Sequence, residues 1–178
     1  THRRNNDSYG DSTVMASELH VDAIKHSGGT SALTIDSSGH VSHPVRPYFS
    51  VRQNDGQSLA SGTQTTMLHA TSISQRGNDY DSSTGFFTAP VTGLYNFNAD
   101  VQISSATQWQ FFLQHSNSGG SGIRGYVGFN GASGEKTTIA SQSLTIQMTA
   151  GELMMVRVTH FLGSNQNIFG HFQGYFIG

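Results

Sequence analysis

The chain predicts an all-β fold: a sandwich, jelly roll or barrel of antiparallel strands. Three observations carry this. Strand-sized segments alternate apolar and polar residues, as in 94–101, where Tyr95, Phe97, Ala99 and Val101 face one way and Asn96, Asn98 and Asp100 the other. Turn clusters rich in Gly, Asn and Ser separate these segments at intervals of about 8–12 residues. No amphipathic helix is found, and Gly fills 21 of 178 positions, which works against helices. Strands with one apolar and one polar face belong to antiparallel sheets.

Residues 1–17 are polar and aperiodic and read as a flexible lead-in. Residues 18–47 read as an extended N-terminal anchor or stalk of short β segments, with a linker. Leu19, Val21 and Ile24 form a brief apolar pattern, and Ser27-Gly28-Gly29-Thr30 is a turn. Residues 31–36 are strand-like, Ser37-Ser38-Gly39 closes them, and His40-Val41-Ser42 is extended again. Strands this short bury little alone, so they are expected to pair with the same segment of another copy. His43-Pro44-Val45-Arg46-Pro47 holds two of the three prolines and marks the linker.

Residues 48–178 form the head. Alternation recurs at Trp109, Phe111 and Leu113, at Leu144, Ile146 and Met148, and at Met154, Val156 and Val158. Turns are expected at 77–79, 90–93, 116–122, 130–135, 150–152 and 163–167.

Composition excludes several classes of function. Charged residues are 11% of the chain, against a usual value of about 25%. Nine Lys and Arg spread along the chain make no basic face for nucleic acid. No apolar run approaches the ~20 residues that span a bilayer, so no membrane insertion is expected. No apolar segment follows Thr1-His2-Arg3-Arg4, so no signal peptide is expected. Cysteine is absent, which removes disulfides, thiolate metal sites and a Cys nucleophile.

The stretch 78–97, NDYDSSTGFFTAPVTGLYNF, resembles the signature of the complement component 1q globular head, a branch of the tumour necrosis factor-like jelly rolls. Tyr80, Gly85, Phe87, Pro90, Gly93, Tyr95 and Phe97 fall at that family's spacing. Pro47-Tyr48-Phe49-Ser50-Val51 resembles its opening strand, Ala150-Gly151-Glu152-Leu153-Met154 the start of a late strand, and residues 172–177, with Phe172 and Gly174, its closing strand. His69 departs from the usual Phe and Gln75 from the usual Asn or Asp. The resemblance implies an antiparallel jelly-roll sandwich over 48–178, a fold-signature core, and a homotrimer packed through one sheet. Phe49, Phe169, Phe172 and Tyr175 are then expected between copies. Residues 19–41 resemble a stretch common in tail-fibre and other appendage proteins of marine bacteriophages. Together these imply a structural virion protein on the particle surface: a phage fibre or head fibre whose N-terminal segment meets other virion proteins and whose trimeric knob adheres to a host receptor or glycan. The alternatives are a capsid decoration (cement) protein and a cellular secreted lectin-like domain.

Nine histidines raise a metal reading, but His40 and His43 are three apart in an extended segment and face opposite ways, so no metal is expected there. His69, His160 and His171 fall in predicted strands as structural residues, and His115 opens a predicted loop, placed to touch a ligand. Some relatives bind calcium near the trimer apex; Asp79, Asp81 and Asp100 are the nearest candidates, with no dedicated calcium loop. Gly119-Gly120-Ser121-Gly122 lacks the helix and Lys of a phosphate cradle. Carboxylates are too scattered for a glycosidase pair. No enzyme activity and no cofactor are expected. Recognition is expected from the polar loops 55–63, 116–122 and 131–136, through Asp55, Ser116, Asn117, Asn130 and Lys136, with Trp109, Tyr126 and Phe129 nearby.

Overall fold

A computed structural model describes residues 19–104, 108–117, 124–132, 138–161 and 163–178. The lead-in 1–17 and Lys136 lie outside the described residues. The chain divides into two units, Thr1–Pro44 and Val45–Gly178.

The first unit holds β1 (Ala23–Lys25), β2 (Ser31–Ile35) and β3 (Val41–Ser42), hydrogen-bonded in the order β1-β2-β3. Ala23 pairs with Thr34, and Thr34 with Ser42. Among the described residues these short strands form a meander that pairs with itself. The cause is the β2–β3 turn. Gly39 takes a φ of 83°, open to glycine at little cost, and its N–H donates to Asp36 O at 2.9 Å. The Asp36 carboxylate accepts from the backbone N–H of Ser38 and of His40 at 2.8 and 2.9 Å. These bonds, the His40 backbone first, hold its carboxyl below the usual range.

The second unit is a jelly roll with no helix among its described residues. One sheet has the order β12-β9-β14-β4-β6: β4 (Tyr48–Leu59), β6 (Thr71–Arg76), β9 (Gly93–Ile103), β12 (Thr138–Met148) and β14 (Gln166–Phe176). The other has the order β11-β10-β13-β8-β7, with β5 (Thr65–Thr66) also on β13: β7 (Tyr80–Asp81), β8 (Phe86–Thr88), β10 (Gln108–Ser116), β11 (Arg124–Ala132) and β13 (Leu153–His160). Every pairing is antiparallel, as the alternation requires.

The core lies between the sheets. Tyr95, Phe97, Ala99, Val101 and Ile103 of β9 meet Trp109, Phe111 and Leu113 of β10 and Met154, Val156 and Val158 of β13, all buried. At the centre Phe49 stacks on Phe87 at 4.9 Å and on Tyr80 at 5.3 Å, and meets Phe172 edge-on at 4.8 Å. Each such pair adds roughly 0.5–1.5 kcal/mol beyond the burial of its area. Phe49 and Phe172, expected between copies, thus fill this chain's own core. They sit on the inward phase of β4 and β14, and the alternation leaves them no other side.

The signature glycines have separate tasks. Gly85 has a φ of 76°, and a Cβ there would stand 2.5 Å from Met67 O. Gly93 lies buried under the Phe176 ring. A Cβ on Gly174 would stand 2.5 Å from Phe97 and 2.6 Å from Phe49. Pro90, expected in the core, is exposed in the β8–β9 turn. Tyr95 secures that turn from within by donating its hydroxyl to Val91 O at 2.7 Å.

Gly174→Ala inserts a methyl group where two rings already touch the backbone. The expected loss is about 3 kcal/mol of unfolding free energy, read from urea melts of the head. A loss below about 0.5 kcal/mol would show that the rings yield and would overturn this account of the core.

Candidate functional site

The outward residues of the five-stranded sheet form one continuous face. The β14 register sets them in rows. Tyr175 lies beside Tyr48 and Asn96, Gln173 beside Ser50 and Asn98, and His171 beside Arg52 and Asp100. Phe169 lies beside Gln102, which pairs with Ile139 of β12. The face is thus graded: aromatic at Tyr48 and Tyr175, polar and charged in the middle, and apolar at Phe169, Ile73 and Ile139. Ile139 is 64% exposed and Ile73 52%, large for isoleucines on a folded surface.

Two depressions open on this face. One of about 540 Å³ is lined by Arg52, Asn54, Ile73, Asp100, Phe169 and His171, among others. The second, about 390 Å³, is lined by Asn98, Asp100, Ser141, Ser143, His171 and Gln173, among others. Asp100 and His171 belong to both. His171 Nε2 lies 3.0 Å from Ser50 Oγ, and its Nδ1 lies 3.8 Å from Asp100 Oδ1. Burial pushes the Asp100 carboxyl above the usual range, against the opposing pull of His171. Serine, imidazole and carboxylate stand in the order used by nucleophilic hydrolases. However, 3.8 Å is too long for a hydrogen bond to orient the ring. In addition, β4, β14 and β9 are each paired on both sides, so their backbone N–H groups serve the ladder rather than an oxyanion. The arrangement is suited to polar contact.

The residues expected in recognition loops fall elsewhere. Asp55 is exposed but lies within β4, which runs on to Leu59. It occupies the irregular stretch where the β4–β14 register shifts. Ser116 is wholly buried at the end of β10, and Asn117 follows it, exposed. Asn130 belongs to β11, opposite Gln110, so no loop begins there. Ser116 and Asn130 continue strands paired on one side, with Leu153 of β13 and Gln110 of β10, and Asp55 sits where β4 bulges against β14. The rest of the 116–122 and 131–136 loops lies outside the described residues, as do the side chains of Tyr126, Phe129 and Asn130. Trp109 is buried. Of the residues expected between copies, Phe169 and Tyr175 do face outward. Phe169 packs over Gly56, and Tyr175 is 47% exposed.

Among the described residues no three histidines or acids gather to hold a metal ion. His115 lies within β10 and is half-buried; its Nε2 is 3.0 Å from Glu152 Oε2, which also accepts from Thr149 N. It braces the β12–β13 turn instead of opening a loop. His160 is buried with Nε2 donating to Leu59 O at 2.8 Å. Asp81 is engaged by Ser83 N and Oγ at 2.8 and 2.7 Å. His69 lies between β5 and β6 and not within a strand. Its backbone N–H donates to Tyr80 Oη at 3.2 Å, and its Nδ1 is 3.0 Å from the same oxygen. Burial, aided by His171, lowers its pKa to about 3. The interaction that the sequence reading missed is the His171–Asp100–Ser50 group. A polar residue on the outward phase of each of three strands was its only signal.

The profile of the C1q domain matches residues 48–177. No curated protein matches the chain. Among solved structures, the globular domain of zebrafish complement 1qA is similar at a TM-score of 0.63 and 17% identity, over 75% of this chain and 98% of that one. Eiger TNF from S. frugiperda is similar at 0.54 and 13%, over 75% and 94%. The PRD1 vertex protein P5 is similar at 0.54 and 16%, over 75% and 99%.

His69 generates a test in pH. The fold holds its imidazole neutral, whereas the unfolded chain protonates it near 6.5. The contribution to stability is therefore complete above about pH 6.5 and is lost as pH falls toward 3. His69→Phe removes the titration, and Tyr80 Oη keeps the backbone donor. Urea midpoints at pH 7 and 4.5 should fall steeply for the parent and less for the variant. Parallel losses would show that another group is responsible.

Proposed function

We propose, from the premise that this chain belongs to the C1q domain family, that it is a trimeric structural protein of a virion, displayed as the knob of a phage fibre and used for adhesion to a host-surface receptor or glycan. The observation that carries the virion reading is the likeness of the head to the PRD1 vertex protein P5, nearly the whole of which it covers. The resemblance of residues 19–41 to phage appendage proteins supports it independently. Domains of the C1q and tumour necrosis factor type typically form homotrimers.

The graded outer face of the five-stranded sheet is the surface we assign to contact between copies. Its exposed Ile73, Ile139 and Tyr175 are a burden on a monomer and an asset when covered. Phe169 and Tyr175 then act between copies while Phe49 and Phe172 hold each copy together. Residues 1–44 attach the knob to the particle, and the head acts by binding, not by turnover. Three linked heads raise the effective concentration at a cell surface without any new contact.

Light scattering after size exclusion should give a mass about three times 19.1 kDa; a stable monomer would overturn the knob. Removing residues 1–44 should leave that trimer folded and abolish its incorporation into particles. Continued incorporation would refute the anchor. A particle map in which the head is mostly covered by the shell would favour a cement protein, and its absence from particles a cellular binding domain. Shortening of host polysaccharide by the purified protein would refute the non-enzymatic reading.

A further inference from the structure

We propose that the contact between copies opens in acid, through the cluster of Arg52, Asp100, His171 and Ser50 at the middle of the five-stranded sheet's outer face. This rests on the assembly reading above.

β14 runs between β4 and β9, and the register sets His171 between Arg52 on one side and Asp100 on the other. The imidazole faces Asp100 Oδ1 at 3.8 Å through Nδ1 and Ser50 Oγ at 3.0 Å through Nε2. From β12 the face receives Ser141 and Ser143, which carry no charge, and from β6 it receives Ile73. The β6 arginine, Arg76, lies over the Tyr48 ring at 5.2 Å, at the other end of the sheet. From the inner side the buried His69 is the titratable neighbour that senses His171, and it stays neutral above about pH 3. Among the described residues, the charge in the middle of the face is therefore set by Arg52, Asp100 and His171.

At neutral pH the arginine and the carboxylate oppose each other. Acid removes the negative charge at Asp100 and leaves Arg52 unchanged. Burial already favours the protonated form of Asp100, so its charge is lost at a higher pH than that of a surface aspartate. A threefold contact repeats this gain in every copy, next to apolar rows that exclude water. Like charges in such a setting repel far more strongly than in bulk water. The trimer is then driven apart while each jelly roll, held by its aromatic core, stays folded.

The test is sedimentation of the full chain at pH 7.5 and 5.0 in low salt, with circular dichroism at both. The expected result is a trimer at pH 7.5 and a shift to monomer at pH 5.0 with the β-sheet signal kept. His171→Gln, and separately Asp100→Asn, should each change the pH midpoint of dissociation. The asparagine variant is expected to weaken the trimer already at pH 7.5, with at least a tenfold higher dissociation constant than the parent there. A parent that remains trimeric at pH 5.0 overturns the inference alone. So does dissociation accompanied by unfolding, or an Asp100→Asn variant that assembles at pH 7.5 just as the parent does. A parent that is monomeric at pH 7.5 overturns the assembly reading, and this inference with it.

Discussion

The head depends on how closely β14 approaches the rings beneath it. Gly174 gives the Phe97 and Phe49 rings room against the β14 backbone, where a single methyl group would collide with both. That approach seats Phe172 against Phe49 and Phe97, and Phe49 in turn carries Phe87 and Tyr80 from the opposite sheet. Ring contacts join the two sheets at the centre. Interiors of this density tolerate little added volume, so the strand cannot shift without disturbing both layers.

The same spacing determines the surface. A strand that sends Phe172, Gly174 and Phe176 inward must send His171, Gln173 and Tyr175 outward. The polar and charged middle of the outer face is thus the reverse side of the aromatic core. Changing its register to suit a ligand would move the core residues into water. Function on this sheet is confined to choosing side chains at outward positions, and those chosen are mostly small, polar and uncharged. Their hydrogen bonds, such as Asn96 to Thr145 and Asn98 to Asn96, survive high salt better than ion pairs do. Arg52, Asp100 and His171 stand out against that background.

Much of the fold was legible from local pattern. The alternation in β9, β10, β12 and β13 and the Tyr80–Phe97 motif point to an antiparallel jelly roll before any strand is placed. These features are local: a period of two and a few glycines report which side of a strand is filled. The site was less legible. Asp55, Ser116 and Asn130 lie in stretches with the composition of loops, yet each belongs to a strand, because pairing of that strand with a neighbour outweighs weak propensity. Phe49 and Phe172 look like surface anchors in a closing or opening strand, and only the partner sheet shows that both are needed within one copy. The N-terminal strands look too short to pair alone, and turn geometry at Gly39 lets them pair with each other.

By itself the sequence determined the class of fold and the identity of most core residues, because strand periodicity is written in neighbouring residues. Only the tertiary structure decided that Ser50, Arg52, Asp100 and His171 share one patch. They come from three strands far apart in the chain, and no short-range pattern records which strands lie side by side.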